Sequence, residues 1–356
     1  MPKTAPCLKT QKVYGEKVIT TVHRLGIIDR ELEIQRDNNH IYVPLTRNPR
    51  QDELEKIREH VPSIEVLTYA FPERRKQPKT IHEALEDKMP PHLLACLPRA
   101  LDFVGDIAII ELPPELEAYG TEIGNAVLQV HKNLRTVLAK AGAVKGEYRL
   151  REFKVIAGQA KTETIHKEHG CQFYVDLAKA YFSPRLSHEH MRVASMVKEG
   201  EIVIDMFTGV GPFAILIAKT HTNVKVYAID KNPDAIQLLR KNVTLNRVDG
   251  KVYPIHGDAR QVIEQQLRGI ADRVIMNLPE KAIEFADAAC KALKPEGGII
   301  HFYSFVKGSD NLENLKALFT AEVEKCGRAV KKILFSRFVR ETAPYEWQAV
   351  LDAEIH

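Results

Sequence analysis

The alternation of apolar and polar residues changes character at about residue 176. Before that point the patterns are short and mixed. KVITTVHRLGII (17–28) carries apolar groups at helical spacing, HIYVPL (40–45) has the look of a short strand, and QDELEKIREHV (51–61) is a charged, amphipathic helix candidate. These make a small α+β module over residues 1–72. It runs into FPERRKQPKT (71–80), where two prolines and four cationic side chains against one acidic residue predict an exposed, extended connector. Helix patterns follow in IHEALEDKMPPHLLACLP. Next come the strand-like run FVGDIAIIEL (103–112), a long helix candidate GTEIGNAVLQVHKNLRTVLAKAG (120–142), and the strand-like stretches LREFKVIAG and CQFYVDLA. A second α+β domain over 80–176 fits this order. From 177 to 356 the alternation becomes regular: EIVIDMF, KVYAID, KVYPIHGDA, DRVIMNL and GGIIHFYSF are each followed by a helical pattern, and two strand-like runs close the chain. Strands alternating with helices predict an α/β, doubly wound parallel sheet.

With 356 residues, 44% of them hydrophobic, the chain can bury several cores. No stretch approaches the roughly 18 unbroken apolar residues of a membrane span, and MPKTAPCLKTQK lacks the apolar run of a secretory signal. A soluble, cytoplasmic protein without a membrane partner is expected. The five cysteines, Cys7, Cys96, Cys171, Cys290 and Cys326, are scattered and never form a CxxC pair, which predicts neither disulfides nor a metal site. A net charge of +4 allows a polyanionic partner without requiring one.

The chemistry gathers at one edge of the expected sheet. In IVIDMFTGVGPFAI (202–215) an apolar strand ends in Asp205, and Gly209 and Gly211 lead into a helix. Glycines there allow a tight turn and a close approach of backbone to ligand. The next strand ends in Asp230, placed to take both hydroxyls of a ribose, and a third leads into Asp258, placed to accept from the exocyclic amine of an adenine. A dinucleotide fingerprint would need a third glycine, and a carboxylate at Asp205 would repel a pyrophosphate. The same carboxylate suits a cationic, amino-acid-bearing ligand, so S-adenosylmethionine is the expected cofactor, with Phe207, Lys231 and Ala259 completing its candidate lining. The competing reading is a structural βαβ turn with surface acids; three successive strands that all lead to an aspartate at the ligand edge weigh against it.

The fourth strand, in RVIMNLPEK (273–281), delivers Asn277 and then Pro279. At that position Asn277 would stand beside the methyl acceptor, with Pro279 restricting the turn and the amide able to orient a heterocyclic base. A helix-capping asparagine is the plainer alternative. No aromatic follows the motif, which disfavours methylation of an exocyclic amine.

GEYRLREFKVIAG, TIHKEHG, VDLAKAYFSPRLSHEHMR, IDMFTGVGPF, AIDKNP and IMNLP resemble, in order and spacing, the archaeal and eukaryotic tRNA (guanine-N1)-methyltransferases that act on the guanosine 3′ of the anticodon. The match runs from about residue 100 to the C-terminus, and the N-terminal module is similar to that of the archaeal enzymes. The resemblance implies a tRNA-elbow-binding N-terminal domain, a middle domain, and a C-terminal class I methyltransferase domain with a Rossmann-like sheet. It also implies tRNA as partner, a monomer with no protein partner, Glu189 as general base, Arg149 at the guanine O6, and Tyr181 and Asn277 lining the site. Family members often carry Glu-Arg where this chain has Glu189-His190, so His190 is expected at the cofactor pocket in the arginine's place. Arg185, Arg151, Lys154 and Lys167 are candidates for holding RNA phosphates, although each on its own reads more readily as a solvated surface charge. His166 and Glu168 are expected to have a structural task in the middle domain.

Those residue types suit the reaction. Guanine N1 is protonated at neutral pH, so a carboxylate must take the proton as the methyl group arrives, and a cation must balance the charge growing on O6. Without the resemblance, Arg149 and Glu189 would read as an ordinary ion pair. Three alternatives remain open: a wyosine-pathway relative that transfers the aminocarboxypropyl group or methylates a tricyclic intermediate, a tRNA-binding protein without catalysis, and a small-molecule methylase. Glu189 together with the NLP turn argues against aminocarboxypropyl transfer. The set Asp230, Asp258, Asn277 and Glu189 argues against a silent binder, and the two extra domains argue against a small substrate.

Overall fold

Pro6 lies inside the first strand, β1 (Lys3–Gln11), although a ring without an N–H argues against a place within a sheet. The strand is paired on both sides even so, with β3 (His40–Pro44) and β4 (Ile64–Phe71), and the Pro6 carbonyl accepts from the Leu45 amide at 2.8 Å. With β2 (Gln35–Arg36) the sheet order is β2-β3-β1-β4. Helices α1 (Gly15–Arg24) and α2 (Gln51–Arg58) contribute Val18, Val22 and Ile57 to a core shared with Leu8, Val43 and Leu45. The computed structural model describes residues 2–74, 78–142, 146–308 and 311–356. Residues 75–77 of the expected connector therefore lie outside the described residues. The chain divides into two units, Met1–Lys79 and Thr80–His356.

The second unit opens with two short helices, α3 (Ile81–Leu85) and α4 (Pro91–Leu94), and a sheet of order β5-β6-β7-β8. The run expected as one strand over 103–112 is two, β5 (Asp102–Val104) and β6 (Ile107–Ile110), folded back through a turn at Gly105–Asp106. The long helix expected over 120–142 is also corrected. Helix α5 spans Gly120–Val130, His131 leaves helical geometry, and Thr136–Lys140 form β7, parallel to β6. Tertiary burial overrides helical spacing here: Thr136, Val137 and Leu138 are wholly buried on both faces, which suits a central strand rather than a helix stripe. Strand β8 (Phe153–Gly158) completes the sheet.

A hairpin follows, β9 (Glu163–Glu168) with β10 (Cys171–Asp176). Then α6 (Ser187–Met196) leads into β11 (Ile202–Asp205), α7 (Pro212–Thr220), β12 (Lys225–Asp230), α8 (Pro233–Asn246), β13 (Val252–His256), α9 (Ala259–Val262), β14 (Arg273–Met276), α10 (Ala286–Ala292), β15 (Gly298–Lys307), α11 (Leu312–Lys325), β16 (Val330–Ala343) and β17 (Glu346–Ile355). The seven-stranded sheet has the order β13-β12-β11-β14-β15-β17-β16, parallel except for β17, which runs antiparallel to both its neighbours. The order reverses beside β11 and β14, so a crevice forms beyond their carboxyl ends, the usual ligand position in such sheets.

Two buried amides fasten the hairpin to this domain. Asn242 and Asn246, one turn apart on α8, act as a substitute strand along the free edge of β10. Asn242 bonds the amide and carbonyl of Tyr174 (2.6 and 3.1 Å), and Asn246 does the same for Gln172 (2.8 and 2.6 Å). An edge that would otherwise be open is thereby satisfied.

Candidate active site

β11 ends at Asp205 and β12 at Asp230; Asp258 stands two residues past β13 and caps α9 by accepting from the Arg260 amide at 3.0 Å. Between Asp205 and α7 the backbone turns through Gly209 and Gly211, both left-handed (φ 57° and 90°), and a Cβ at Gly211 would meet the Leu239 side chain at 2.2 Å. The left-handed backbone there favours glycine, and any side chain would have to displace Leu239. Asp205 is wholly buried, and neither carboxylate oxygen has a hydrogen-bond partner; the Thr208 hydroxyl and the Phe207 amide lie near it without completing one. Burial, helped by the negative charge of Asp230, pushes its carboxyl up to about 7. Burial also raises Asp230, against the opposing effect of its bonds from the amides of Asn232 (2.9 Å) and Gly209 (2.7 Å).

An orphaned, buried carboxylate beside a glycine turn calls for a cationic ligand group. These residues therefore fit S-adenosylmethionine, whose ammonium would complete Asp205. The remaining lining candidates cluster here. Phe207 packs edge-on to Phe285 (5.0 Å), Lys231 lies 2.5 Å from Glu147 and 3.9 Å from Asp258, and Ala259 is buried. Among the described residues no cluster of His, Cys, Asp or Glu could hold a metal ion, and no helix is long and apolar enough to cross a membrane.

A cavity of about 400 Å³ is lined by Arg149, Arg151, Tyr181, Arg185, Glu280 and Arg340, among others. Arg149 is held in left-handed backbone (φ 55°), an uncommon state for a residue with a side chain. Its guanidinium lies over the Tyr181 ring at 5.1 Å and pairs with Glu280 at 3.2 Å, and its Nε is buried without a partner. Arg185 is paired with Asp102, whereas Arg151, Lys154 and Lys167 make no ion pair among the described residues. Asn277 accepts from Gln348 at 3.2 Å, and the Pro279 carbonyl accepts from the Phe305 amide at 3.1 Å.

Glu189 lies outside the residues lining that cavity. It is 1% exposed in α6, and its carboxylate accepts from Arg192 Nε (2.9 Å), from the Tyr303 hydroxyl (3.0 Å) and from Arg337 on β16. Arg149 and Glu189 are not an ion pair; each has other partners. Burial, and then the charge of Glu189, raise the Tyr303 phenol well above its ordinary value, so it stays a donor. Arg192 continues to Asp352, which also binds His301 at 2.6 Å, and His301 meets Arg273 at 2.8 Å. Burial opposes ionisation of Asp352, but His301 and Arg192 outweigh it and hold the carboxyl at about 2.

His190 is buried beside Glu189, donates from Nδ1 to Glu168 at 2.7 Å, and packs edge-on against Phe213 of α7 (4.6 Å). It thus sits beneath the helix that carries the glycine turn. His166 stands 3.6 Å from the other oxygen of Glu168 and accepts from the Gly105 amide at 3.3 Å. Burial would raise Glu168, but the two imidazoles hold it at about 2. This cluster ties β9 to the turn between β5 and β6 and to α6.

Sequence reading missed Arg337, Arg340 and Gln348 on the closing hairpin, and also Tyr303 and Glu280. A signal existed for some of them: Gln348 and Asp352 flank the apolar run AVL in the closing strand, and polar residues beside such a run need buried partners. No local pattern marks Arg340.

Comparison with known proteins agrees with this architecture. Residues 164–332 match the TRM5/TYW2 methyltransferase domain, 81–162 the TYW2 N-terminal domain, and 7–53 the tRNA methyltransferase 5 N-terminal domain. The tRNA (guanine(37)-N(1))-methyltransferase Trm5b of Pyrococcus abyssi is 39% identical over 345 residues, covering 96% of both chains. The tRNA 4-demethylwyosine(37)-methyltransferase Taw21 of Saccharolobus solfataricus is 36% identical over 256 residues, covering 71% of this chain and 93% of its own. A structure described as the complex of aTrm5 and tRNALeu superposes with a TM-score of 0.74 at 34% identity, covering 98% of this chain and 99% of that one. From its three matched domains and its near full-length relatives, the chain belongs to the TRM5/TYW2 family of methyltransferases.

Proposed function

We propose that this protein transfers the methyl group of S-adenosylmethionine to N1 of guanosine 37 in tRNA, acting as a cytoplasmic monomer. The observation that carries the reading is the unpartnered Asp205 carboxylate at the glycine turn, in a chain whose guanine-N1 relative matches it over 96% of its length. The wyosine methylase relative spans only 71% of this chain, which favours guanosine over a tricyclic base.

When bound, the cofactor supplies an electrophilic methyl group at the crevice between β11 and β14. Asp205 holds its ammonium, Asp230 its ribose hydroxyls and Asp258 its adenine amine. Arg149, lifted into the cavity by its left-handed turn and backed by Tyr181, carries the charge that develops on O6. Glu189 takes the N1 proton. Its Oε2 is oriented by Arg192 and Tyr303, while Oε1 is held by Arg337, a residue 37% exposed on an outer strand whose contact must give way as the base docks. Arg151, Lys154 and Lys167, unpaired within the described residues, hold phosphates around the extruded nucleotide, and the N-terminal unit grips the tRNA elbow.

The test is incorporation of labelled methyl into an unmodified tRNA transcript with guanosine at position 37, beside one with adenosine there. Labelling of the guanosine transcript alone, digesting to 1-methylguanosine, is expected. Equal labelling of both transcripts, or addition of a larger group, overturns the proposal.

A further inference from the structure

All three guanidinium nitrogens of Arg340 donate within the protein. Nε donates to Gln348 Oε1 at 3.0 Å, Nη1 to the Ser183 hydroxyl at 2.9 Å and Nη2 to the Tyr181 hydroxyl at 3.1 Å. Gln348, 1% exposed, then donates from Nε2 to Asn277 Oδ1 at 3.2 Å. An amide can be turned either way, and its orientation is normally decided by its neighbours. Here the decision begins at a group that only donates. Because Arg340 cannot accept, the oxygen of Gln348 must face it, so the nitrogen of Gln348 must face Asn277. The oxygen of Asn277 must then face inward. The free end of this relay is the Asn277 Nδ2 group, which makes no hydrogen bond among the described residues.

We infer that Arg340 and Gln348 are positioning residues that fix the polarity of Asn277, so that it shows the acceptor base two N–H donors and no acceptor. This rests on the reading that the base is a guanine. A donor-only amide matches a carbonyl such as O6 and opposes an amino group at the same place, as in adenine. It also means that Asn277 cannot receive the N1 proton. The same arginine anchors the hydroxyl of Tyr181, the ring beneath Arg149, so one side chain sets two parts of the site.

The decisive variant is Gln348→Glu. It keeps the oxygen facing Arg340 but offers Asn277 only an acceptor, which turns the Asn277 amide around. Neutron diffraction of the deuterated protein reads both amides directly. The wild type should show deuterons on Asn277 on the side away from Gln348, and the variant should show them facing residue 348. In single-turnover methylation of the guanosine transcript, Gln348→Glu should lose about 10²-fold in rate, as expected when a preorganised donor is removed, with KM for cofactor and tRNA within about threefold. Adding Asn277→Ala should cost little more, because the donors are already turned away. A merely structural role would instead move melting temperature and both KM values together. A wild-type neutron map with the Asn277 oxygen on the free side, or an unchanged rate in Gln348→Glu, overturns the relay. If the map is as expected but the wild type leaves guanosine 37 unlabelled, the relay stands and the assigned reaction fails.

Discussion

Asn at position 205 should make the ligand-free protein more stable at neutral pH while weakening its hold on the cofactor. Asp205 is fully buried with both oxygens unpartnered, and its carboxyl is raised from 3.8 to about 7 by burial and by Asp230. A group whose folded value lies above its unfolded one adds stability that is complete below the unfolded value and lost as pH rises through the folded value. Ionising Asp205 between pH 4 and 7 therefore costs the fold about 4 kcal/mol, at about 1.4 kcal/mol for each unit of the rise. Asparagine carries no such cost. In urea titrations, the stability of Asp205→Asn relative to wild type should climb by about 2–3 kcal/mol between pH 5 and pH 8, and then level off. The single tryptophan, Trp347 in β17, lies in the same unit and reports its unfolding. Calorimetric titration with S-adenosylmethionine should meanwhile show at least a tenfold loss of affinity, about 1.4 kcal/mol, from removing the counter-charge of the ammonium. A difference that stays flat with pH, or an affinity equal to wild type, would refute the view of Asp205 as a carboxylate kept at the expense of stability.

Glu189→Gln should bind tRNA and cofactor normally in filter-binding and calorimetric assays yet lose about 10²–10⁴-fold in single-turnover rate, the usual worth of a general base. Gly211→Ala forces a side chain into left-handed backbone and against Leu239, and should cost about 1–3 kcal/mol in denaturant titration together with most of the cofactor affinity. Asn242→Ala leaves the Tyr174 amide and the Tyr174 and Val210 carbonyls without partners, and should destabilise the second unit by about 2–4 kcal/mol, seen as faster hydrogen exchange at Tyr174.

Much of this architecture is local enough to be written in the chain. The strand–helix alternation after residue 177, the aspartates at the strand ends and the glycines before α7 are legible because each reflects a short-range demand: periodic burial, a ligand edge or a left-handed turn. Where longer-range packing decides, local reading fails. The stretch 136–140 belongs to a run with helical spacing but becomes the central strand β7, paired along one edge with β6 and along the other with β8, with Thr136, Val137 and Leu138 buried. Strand β1 hides behind Pro6, and β9 behind the polar run ETIHKE.

The same division runs through the site. Motif order singled out Glu189, Arg149 and Asn277 as candidates, and their side chains are of types that suit the proposed reaction. Which groups touch them was decided by the tertiary structure: Arg337 and Tyr303 reach Glu189 across 148 and 114 residues, and Gln348 reaches Asn277 across 71. The physical reason is that a hydrogen bond depends on position within a few tenths of an ångström, and such positions arise only when strands distant along the chain close into one sheet.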